Sequence, residues 1–360
     1  PMPAIEALKG VQTSKLPKPA PREGVYGANN LLKNAIKLFE HEIDNSEALT
    51  VDDKGVIRLM DVRGNMYAAA PSPAGSFAYG NAVRVGSLGP GRTLDVAQDA
   101  EGRFVLADAA RGLLRWTPSL HESTAPKLEI LSSHVDGSEA PVPERESARS
   151  AVRLAHALAV QRSTGDVFFA DASSTPAALD RLGHWDVQRA YMLSLCQGSS
   201  SGRVLRWEAS TGRTHAVAGD LWFPAALALA ADEQSLVVAE MGSAKLTKIW
   251  LGGERTGRAE PFGQALPGVP RALAQASDGG FWVSVQGPVM PFLTATSGAR
   301  WARYLVAWAS NAIATRTVEW GCLIKLSAQG EVQRVFLDAD GEHIKGVTSL
   351  HEAHGRLFMG

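Results

Sequence analysis

Six short apolar runs recur along the chain, and a three-residue segment of similar sequence opens each of them. The six openings are EAL at 47, RTL at 92, HAL at 156, AAL at 225, RAL at 271 and TSL at 348. After most of them, a turn containing Gly or Asp leads into a second apolar strand, such as FVLAD or VFFAD. Supersecondary units repeated at intervals of roughly 45–75 residues indicate a repeat architecture.

Repeats built from strands alone are typical of propellers, in which the innermost strand of each blade lines a central channel. The turn sequences DDKG, DAEG and SDGG between the apolar runs agree with hairpin loops. We therefore predict an all-β fold, a six-bladed β-propeller over residues 30–360. The residues that open the six repeats would then face one another around the channel, and they form the candidate site.

Three segments depart from the strand pattern. Residues 1–29 are rich in Pro, Lys and Gly, and we interpret them as an N-terminal arm. Residues 30–43 place apolar side chains near helical spacing, which predicts an N-terminal helix. Residues 289–320 are apolar and aromatic at near-helical spacing, which predicts a helical insertion. That insertion is a lid over the channel, a helix fixed on the rim, or a helix lying on a membrane surface.

Composition limits the classes of partner. The 360 residues are 45% hydrophobic and 20% charged, with a net charge of −1, so no basic surface indicates nucleic-acid binding. No uninterrupted apolar stretch is long enough to span a bilayer. The two cysteines lie far apart, outside any CxxC pattern, and the chain lacks a signal-peptide pattern. These features predict a cytoplasmic protein with free thiols, and they give no indication of its oligomeric state.

Several stretches also resemble a known family. TLDVAQDAEGRFVLADAARGLLRW, SGRVLRWEASTGRT, LPGVPRALAQASDGGFWVSV and HEAHGRLFMG are similar to sequences of the strictosidine synthase-like proteins. That family includes the adipocyte plasma membrane-associated type, within a superfamily of gluconolactonases and paraoxonase-like esterases. The resemblance covers residue 30 to the C-terminus and implies a six-bladed propeller. It also implies that the last strand continues past Gly360.

The resemblance has consequences for metal binding. Hydrolytic members of the superfamily hold calcium with a Glu, two Asn and an Asp at ring positions. Glu47 matches the Glu, whereas His156, Ala225 and Arg271 replace the other three. Calcium requires oxygen ligands, and a guanidinium repels a dication. We therefore expect neither a metal nor another cofactor. Strictosidine synthase itself uses a Glu that aligns with Thr348, so its own reaction is not implied directly.

Three ring residues are the candidate catalytic groups. The pKa of a free His lies near neutrality, so His156 is the candidate acid or base. Glu47 would orient His156, act as the base, or form an ion pair with an Arg. The guanidinium of Arg271 would anchor a carboxylate, a phosphate or a developing oxyanion.

Five further residues are candidates for substrate binding. Arg92 and Thr348 open two of the repeats, although Arg92 also suits a structural ion pair with Glu47. Asp95 is a second carboxylate of the pocket or a turn acceptor. Trp185 and Tyr191 lie on a long excursion, residues 172–200, and would form pocket walls.

These residues favour a metal-independent enzyme of specialised metabolism that binds a small, anionic molecule. The expected chemistry is proton transfer, in a condensation, cyclisation, elimination or isomerisation. An ester or lactone hydrolase is an alternative, without metal or with a rebuilt metal site of Glu47, His156 and Asp95. A binding propeller whose catalytic site has decayed is a third possibility, which Ala225 supports.

Overall fold

Five four-stranded antiparallel sheets dominate the computed structural model, which describes residues 18–43, 46–72, 78–118, 126–136, 150–289, 298–308 and 320–360. Blade 1 contains β1 (Ser46–Val51), β2 (Ile57–Asp61), β3 (Asn65–Ala69) and β4 (Val83–Ser87). Blade 2 contains β5 (Thr93–Gln98), β6 (Phe104–Asp108), β7 (Gly112–Thr117) and β8 (Lys127–Ser132). Blade 3 contains β9 (Ala155–Val160), β10 (Val167–Asp171), β13 (Gly202–Trp207) and β14 (Thr214–Leu221). Blade 4 contains β15 (Pro224–Leu229), β16 (Ser235–Glu240), β17 (Lys245–Trp250) and β18 (Ala259–Pro261). Blade 5 contains β19 (Val269–Gln275), β20 (Phe281–Gly287), β21 (Gly321–Leu326) and β22 (Val332–Asp338).

The sixth repeat forms a hairpin of β23 (Leu350–Ala353) and β24 (Arg356–Met359). Strand β23 contacts both β19 and β1, so six innermost strands close a ring. The all-β propeller is confirmed, but the prediction of six blades is wrong for the described residues, which form five blades and this hairpin. The physical reason lies in the sixth repeat, whose two apolar runs, TSLHEA and RLFM, supply two strands.

The predicted N-terminal helix is absent from the described residues 30–43. One short 3₁₀ turn, η2 (Leu31–Asn34), lies in this range, and another, η1 (Gly24–Tyr26), precedes it. Phe39 and His41 have φ angles of 58° and 67°, which interrupt a right-handed helix. The apolar residues also serve different surfaces: Leu32 packs with Leu323 of blade 5, whereas Phe39 packs on blade 1. The spacing of the apolar residues resembled that of a helix because the segment passes over two separate apolar clusters of the propeller.

The described residues contain two α-helices, both in insertions between strands. Helix α1 (Val187–Gln197) follows the small sheet of β11 (Ala178–Leu179) and β12 (Trp185–Asp186). Its N-terminus is capped by Asp186, whose carboxylate accepts a hydrogen bond from the Arg189 N–H at 2.8 Å. Helix α2 (Arg300–Trp308) lies in the predicted insertion and packs on α1. The rest of that insertion, 290–297 and 309–319, lies outside the described residues, as do residues 1–17 of the arm.

Membrane-spanning helices are not found in the part of the chain that the structure describes.

The hydrophobic core lies between blades, where apolar faces pack against one another. Blades 1 and 2, for example, share a cluster that includes Met60, Phe104, Leu106 and Trp116. Each such side chain contributes about 1.5–3 kcal/mol when it is fully buried. This packing fixes the angle between blades and therefore the spacing of the innermost strands.

Candidate functional site

A β-bulge presents several of the ring residues. In blade 1, Ser46 pairs with Asp61 and Ala48 pairs with Met60, so Glu47 is the extra residue. The registers of blades 3 and 4 shift in the same way at His156 and Ala225, and the irregularity in blade 5 spans Arg271. Bulges of this kind redirect a side chain out of the regular alternation. The same local distortion therefore brings residues from different blades towards one another.

Blade 2 departs from the sequence repeat by two residues. Thr93 pairs with Asp108 and Asp95 pairs with Ala107, so the position equivalent to Glu47 is Leu94 rather than Arg92. Arg92 precedes β5 and reaches the cluster with its long side chain. Aligning the turns DDKG and DAEG, instead of the three-residue openings, would have revealed this offset from the sequence. Leu94 is buried and adds an apolar wall to the ring.

Glu47 lies between two guanidinium groups. Nη2 of Arg92 donates to Oε1 of Glu47 at 2.6 Å, and Nη1 of Arg92 donates to the backbone carbonyl of Trp185 at 2.7 Å. Nη2 of Arg271 lies 3.9 Å from Oε2 of Glu47. The expected ion pair is therefore present with both arginines. Arg92 additionally ties the ring to Trp185, which lies just before α1.

The contacts of His156 define its tautomer and its protonation state. Nη1 of Arg271 lies 2.7 Å from Nε2 of His156, and a guanidinium can only donate, so Nε2 accepts. Nδ1 therefore carries the proton and donates to the backbone carbonyl of Ala225 at 2.9 Å. Burial, and then the guanidinium of Arg271, hold the pKa of His156 well below its usual value. Both ring nitrogens are engaged in the neutral state, which argues against the predicted acid–base role.

Asp95 accepts hydrogen bonds from the backbone of its own strand and of a neighbouring blade. Its Oδ1 accepts from the Val96 N–H and its Oδ2 from the Leu158 N–H, each at 2.9 Å. Burial raises the pKa of Asp95 to about 7, although both hydrogen bonds oppose this shift. Asp95 occupies the position that Ala48 occupies in blade 1. These contacts favour the interpretation as a structural acceptor that joins β5 to β9.

The remaining candidates lie around the cluster. Thr348 donates through Oγ1 to the backbone carbonyl of Ser46 at 3.2 Å, which joins the sixth repeat to blade 1. The Tyr191 hydroxyl donates to the Met241 carbonyl at 3.4 Å, and burial raises the pKa of Tyr191. Trp185 is half-buried and contributes its carbonyl to Arg92. Thr348 thus joins the sixth repeat to blade 1, whereas Tyr191 lies in α1 and Trp185 lies just before it.

The element that covers the channel is α1, which the sequence did not predict as a helix. Tyr191 packs in one apolar cluster with Leu94, Ala225 and Met241 of the blades. Helix α2 lies against α1, and Nη1 of the buried Arg303 donates to the Leu195 carbonyl at 2.7 Å. The described part of the predicted insertion therefore supports α1 instead of covering the ring directly.

The donor set does not suit a metal ion. The carboxylate of Glu47, the one residue that matches a ligand in the family's calcium pattern, is hydrogen-bonded to Arg92 and lies beside Arg271. The described residues contain no group of three or more His, Cys, Asp or Glu side chains that could hold a metal. Asp95 bonds backbone N–H groups and His156 faces a guanidinium, so neither joins Glu47 as a ligand. Neither calcium nor a transition metal fits these residues.

Comparisons with known proteins agree with this fold. A family model described as strictosidine synthase matches residues 156–254. The chain is 24% identical over 352 residues to the adipocyte plasma membrane-associated protein of Rattus norvegicus, across 94% of this chain and 86% of that protein. It is 26% identical over 379 residues to strictosidine synthase-like protein 3 of Arabidopsis thaliana, across 96% of this chain and 86% of that protein.

Solved structures support the architecture alone. The gluconolactonase of Xanthomonas campestris superposes with a TM-score of 0.56 at 14% identity, over 88% of this chain and 83% of that one. A luciferin-regenerating enzyme superposes with a TM-score of 0.52 at 13% identity, over 88% and 83% of the two chains. The family model and the curated relatives show that this chain is similar to the strictosidine synthase-like family, and the solved structures share its propeller fold.

Proposed function

We propose that this protein binds a small anionic organic molecule beside the Glu47 cluster and transforms it by metal-independent proton transfer. The observation that carries the proposal is the charge of the cluster. Arg92 and Arg271 contribute two positive charges, Glu47 contributes one negative charge, and His156 is neutral. The cluster therefore holds one positive charge in excess.

Burial makes this excess charge costly. The side chains of Arg271 and Glu47 are only 10% and 11% exposed, and that of Arg92 is 20% exposed. Burial lowers the pKa of Arg271, which reflects the cost of desolvating its cation. A buried charge without a partner is strongly destabilising, so a bound anion would stabilise this arrangement. A site of this kind selects ligands of charge −1 over neutral ones.

Glu47 is the group best suited to move a proton. Its Oε2 is buried, has no hydrogen-bond partner among the described residues, and lies 3.9 Å from Nη2 of Arg271. An anionic group held by Arg271 would bring the rest of the substrate beside this free oxygen. Positioning of a base next to the bound substrate is the main requirement of general base catalysis. Condensation, cyclisation, elimination and isomerisation all use such a step.

A second candidate is a binding propeller without catalysis. Leu94 and Ala225 occupy two of the six ring positions and offer no chemistry. The ester or lactone hydrolase has weaker support, because the likeness to a gluconolactonase concerns the fold and the described ring residues do not form a metal site.

The test is a thermal-unfolding screen of small carboxylates, phosphates, sulfonates and matched neutral amides. Wild type should be stabilised by anions, and Arg271→Met should lose this response while Lys248→Met, a control on β17 outside the ring, keeps it. Molecules that bind are then incubated with wild type and Glu47→Gln, and products are measured by mass spectrometry. Turnover by wild type and not by Glu47→Gln supports the enzyme. Binding without turnover favours the second candidate, and absence of any stabilising anion contradicts the proposed function.

A further inference from the structure

One edge of the Arg271 guanidinium is engaged and another is free. Its Nη1 donates to Nε2 of His156 at 2.7 Å and lies 3.5 Å from the sulfur of Met241. Within the described ranges, neither Nε nor Nη2 of Arg271 has a hydrogen-bond partner; Nη2 has only the longer ion pair with Glu47. The hydrogen-bonding capacity that remains therefore belongs to the edge formed by Nε and Nη2.

This edge has a defined shape. The guanidinium is planar, and the hydrogens on Nε and Nη2 point in nearly parallel directions. Their spacing matches the two oxygens of a carboxylate, which accept both hydrogen bonds at once. The free edge of Arg271 is thus a side-on fork for a planar anion.

His156 determines which edge is free. Its Nδ1–H is held by the Ala225 carbonyl at 2.9 Å, and its ring packs edge-on against Phe223 with centroids 5.5 Å apart. These two contacts fix the ring so that Nε2 faces Arg271. Because Nε2 accepts a hydrogen bond without adding charge, it holds Nη1 and leaves the cationic charge of Arg271 for a ligand.

We infer that the ligand group recognised here is a carboxylate, bound side-on by Nε and Nη2 of Arg271, with His156 as the positioning residue. This inference rests on the proposed function. A carboxylate carries the single charge that the cluster lacks. A phosphate monoester carries a charge of about −1.5 to −2 near neutral pH, which would leave negative charge uncompensated beside Glu47. A sulfonate is a monoanion, but it places a third oxygen outside the fork.

The binding test uses four probes that share a phenyl ring: phenylacetate, phenyl phosphate, benzenesulfonate and phenylacetamide. Calorimetry with wild type should give the highest affinity for phenylacetate. Arg271→Lys keeps the charge and removes the fork, so phenylacetate affinity should fall roughly tenfold or more. His156→Leu should cause a similar loss. His156→Gln should stay within about threefold of wild type, because an amide can accept from Arg271 and donate to Ala225.

A ¹⁵N NMR measurement tests the positioning role independently of any ligand. The spectrum of His156, assigned by difference with His156→Gln, should still show the neutral Nδ1–H form at pH values well below the ordinary pKa of His. Arg271→Met should raise the pKa of His156 and allow its protonation. Thermal unfolding without ligand checks that each variant is folded, and His156→Gln serves where His156→Leu does not fold.

The outcomes separate the two proposals. If no anion in the earlier screen stabilises the protein, the proposed function fails. If anions bind but phenyl phosphate or benzenesulfonate binds more tightly than phenylacetate, the carboxylate assignment alone is overturned. If His156→Leu is folded and binds phenylacetate as wild type does, or if His156 titrates near its ordinary pKa, the positioning role is overturned.

Discussion

Replacing Glu47 with Gln should destabilise the folded protein even though the side chain keeps its shape. Glu47 lies 2.6 Å from Nη2 of Arg92 and 3.9 Å from Nη2 of Arg271, and it carries the negative charge of the cluster. The substituted glutamine would still accept a hydrogen bond, but the cluster would hold two cations without a counter-charge. The perturbation therefore isolates electrostatics from packing.

The magnitude follows from distance and exposure. Two unit charges about 4 Å apart attract by about 4 kcal/mol at an effective dielectric constant of about 20. Removing one partner of a fully buried pair costs about 3–5 kcal/mol, whereas an exposed pair contributes about 0–1 kcal/mol. Because the three side chains are between 10% and 20% exposed, we expect a loss of roughly 2–4 kcal/mol.

Urea unfolding followed by tryptophan fluorescence measures this loss, since the chain contains 9 Trp residues. The variants Glu47→Gln, Arg271→Met and their combination form a double-mutant cycle. The combination should be less destabilised than the sum of the single variants, because Arg271→Met removes one of the cations that Glu47→Gln leaves unpaired.

Additive losses in this cycle would contradict the reasoning. A loss below about 0.5 kcal/mol for Glu47→Gln would do the same, because that range is typical of surface substitutions. Phenylacetate at roughly a hundredfold excess over its Kd should return about 2.7 kcal/mol of stability to any variant that still binds it. A matched exchange of an exposed carboxylate, Glu254→Gln, should change neither stability nor binding.

Three further outcomes test the structure elsewhere. In the folded protein the pKa of Asp95 is raised to about 7, from 3.8 for the free side chain. The stability that protonated Asp95 contributes is therefore full below about pH 4 and is lost as the pH rises to about 7. In urea titrations, Asp95→Asn should reduce the change in unfolding free energy between about pH 4 and pH 7 by about 2–4 kcal/mol. Arg303→Met removes the hydrogen bond to the Leu195 carbonyl, so amide exchange in α1 should accelerate roughly tenfold or more while blade 1 is unchanged. Glu240→Gln disturbs a fully buried carboxylate that accepts from Thr247, and it should cost about 1–3 kcal/mol in urea unfolding. A pH slope that Asp95→Asn leaves unchanged, wild-type exchange in Arg303→Met or wild-type stability in Glu240→Gln would contradict the contact concerned.

Turn chemistry and strand alternation made most of the propeller predictable. Asp- and Gly-containing turns recur between short apolar runs, and the hairpins that DDKG, DAEG and SDGG predict are present in blades 1, 2 and 5. The N-terminal segment was misread because periodicity counts apolar side chains without revealing which surfaces they serve. The positive φ angles of Phe39 and His41, which end any helix there, have no clear sequence signal.

The sequence predicted which residues form the candidate site better than it predicted what each of them does. Glu47, His156 and Arg271 do come together from three blades, as the repeat implied. The two-residue offset of Arg92 came from aligning openings rather than turns. The acid–base assignment of His156 rested on the pKa of a free imidazole, and the surrounding protein changes that pKa.

The sequence by itself determined the repeat, the hairpins of the blades and, outside blade 2, which side chains open the innermost strands, because these depend on local pattern and turn geometry. Only the tertiary structure decided that Arg271 donates to His156, that Glu47 is shared by two guanidinium groups and that α1 covers the ring. Arg271 and His156 lie 115 positions apart in the chain, and their contact depends on how the blades pack. Charge state and hydrogen-bond direction are set by distance and burial in space, which separation along the sequence does not encode.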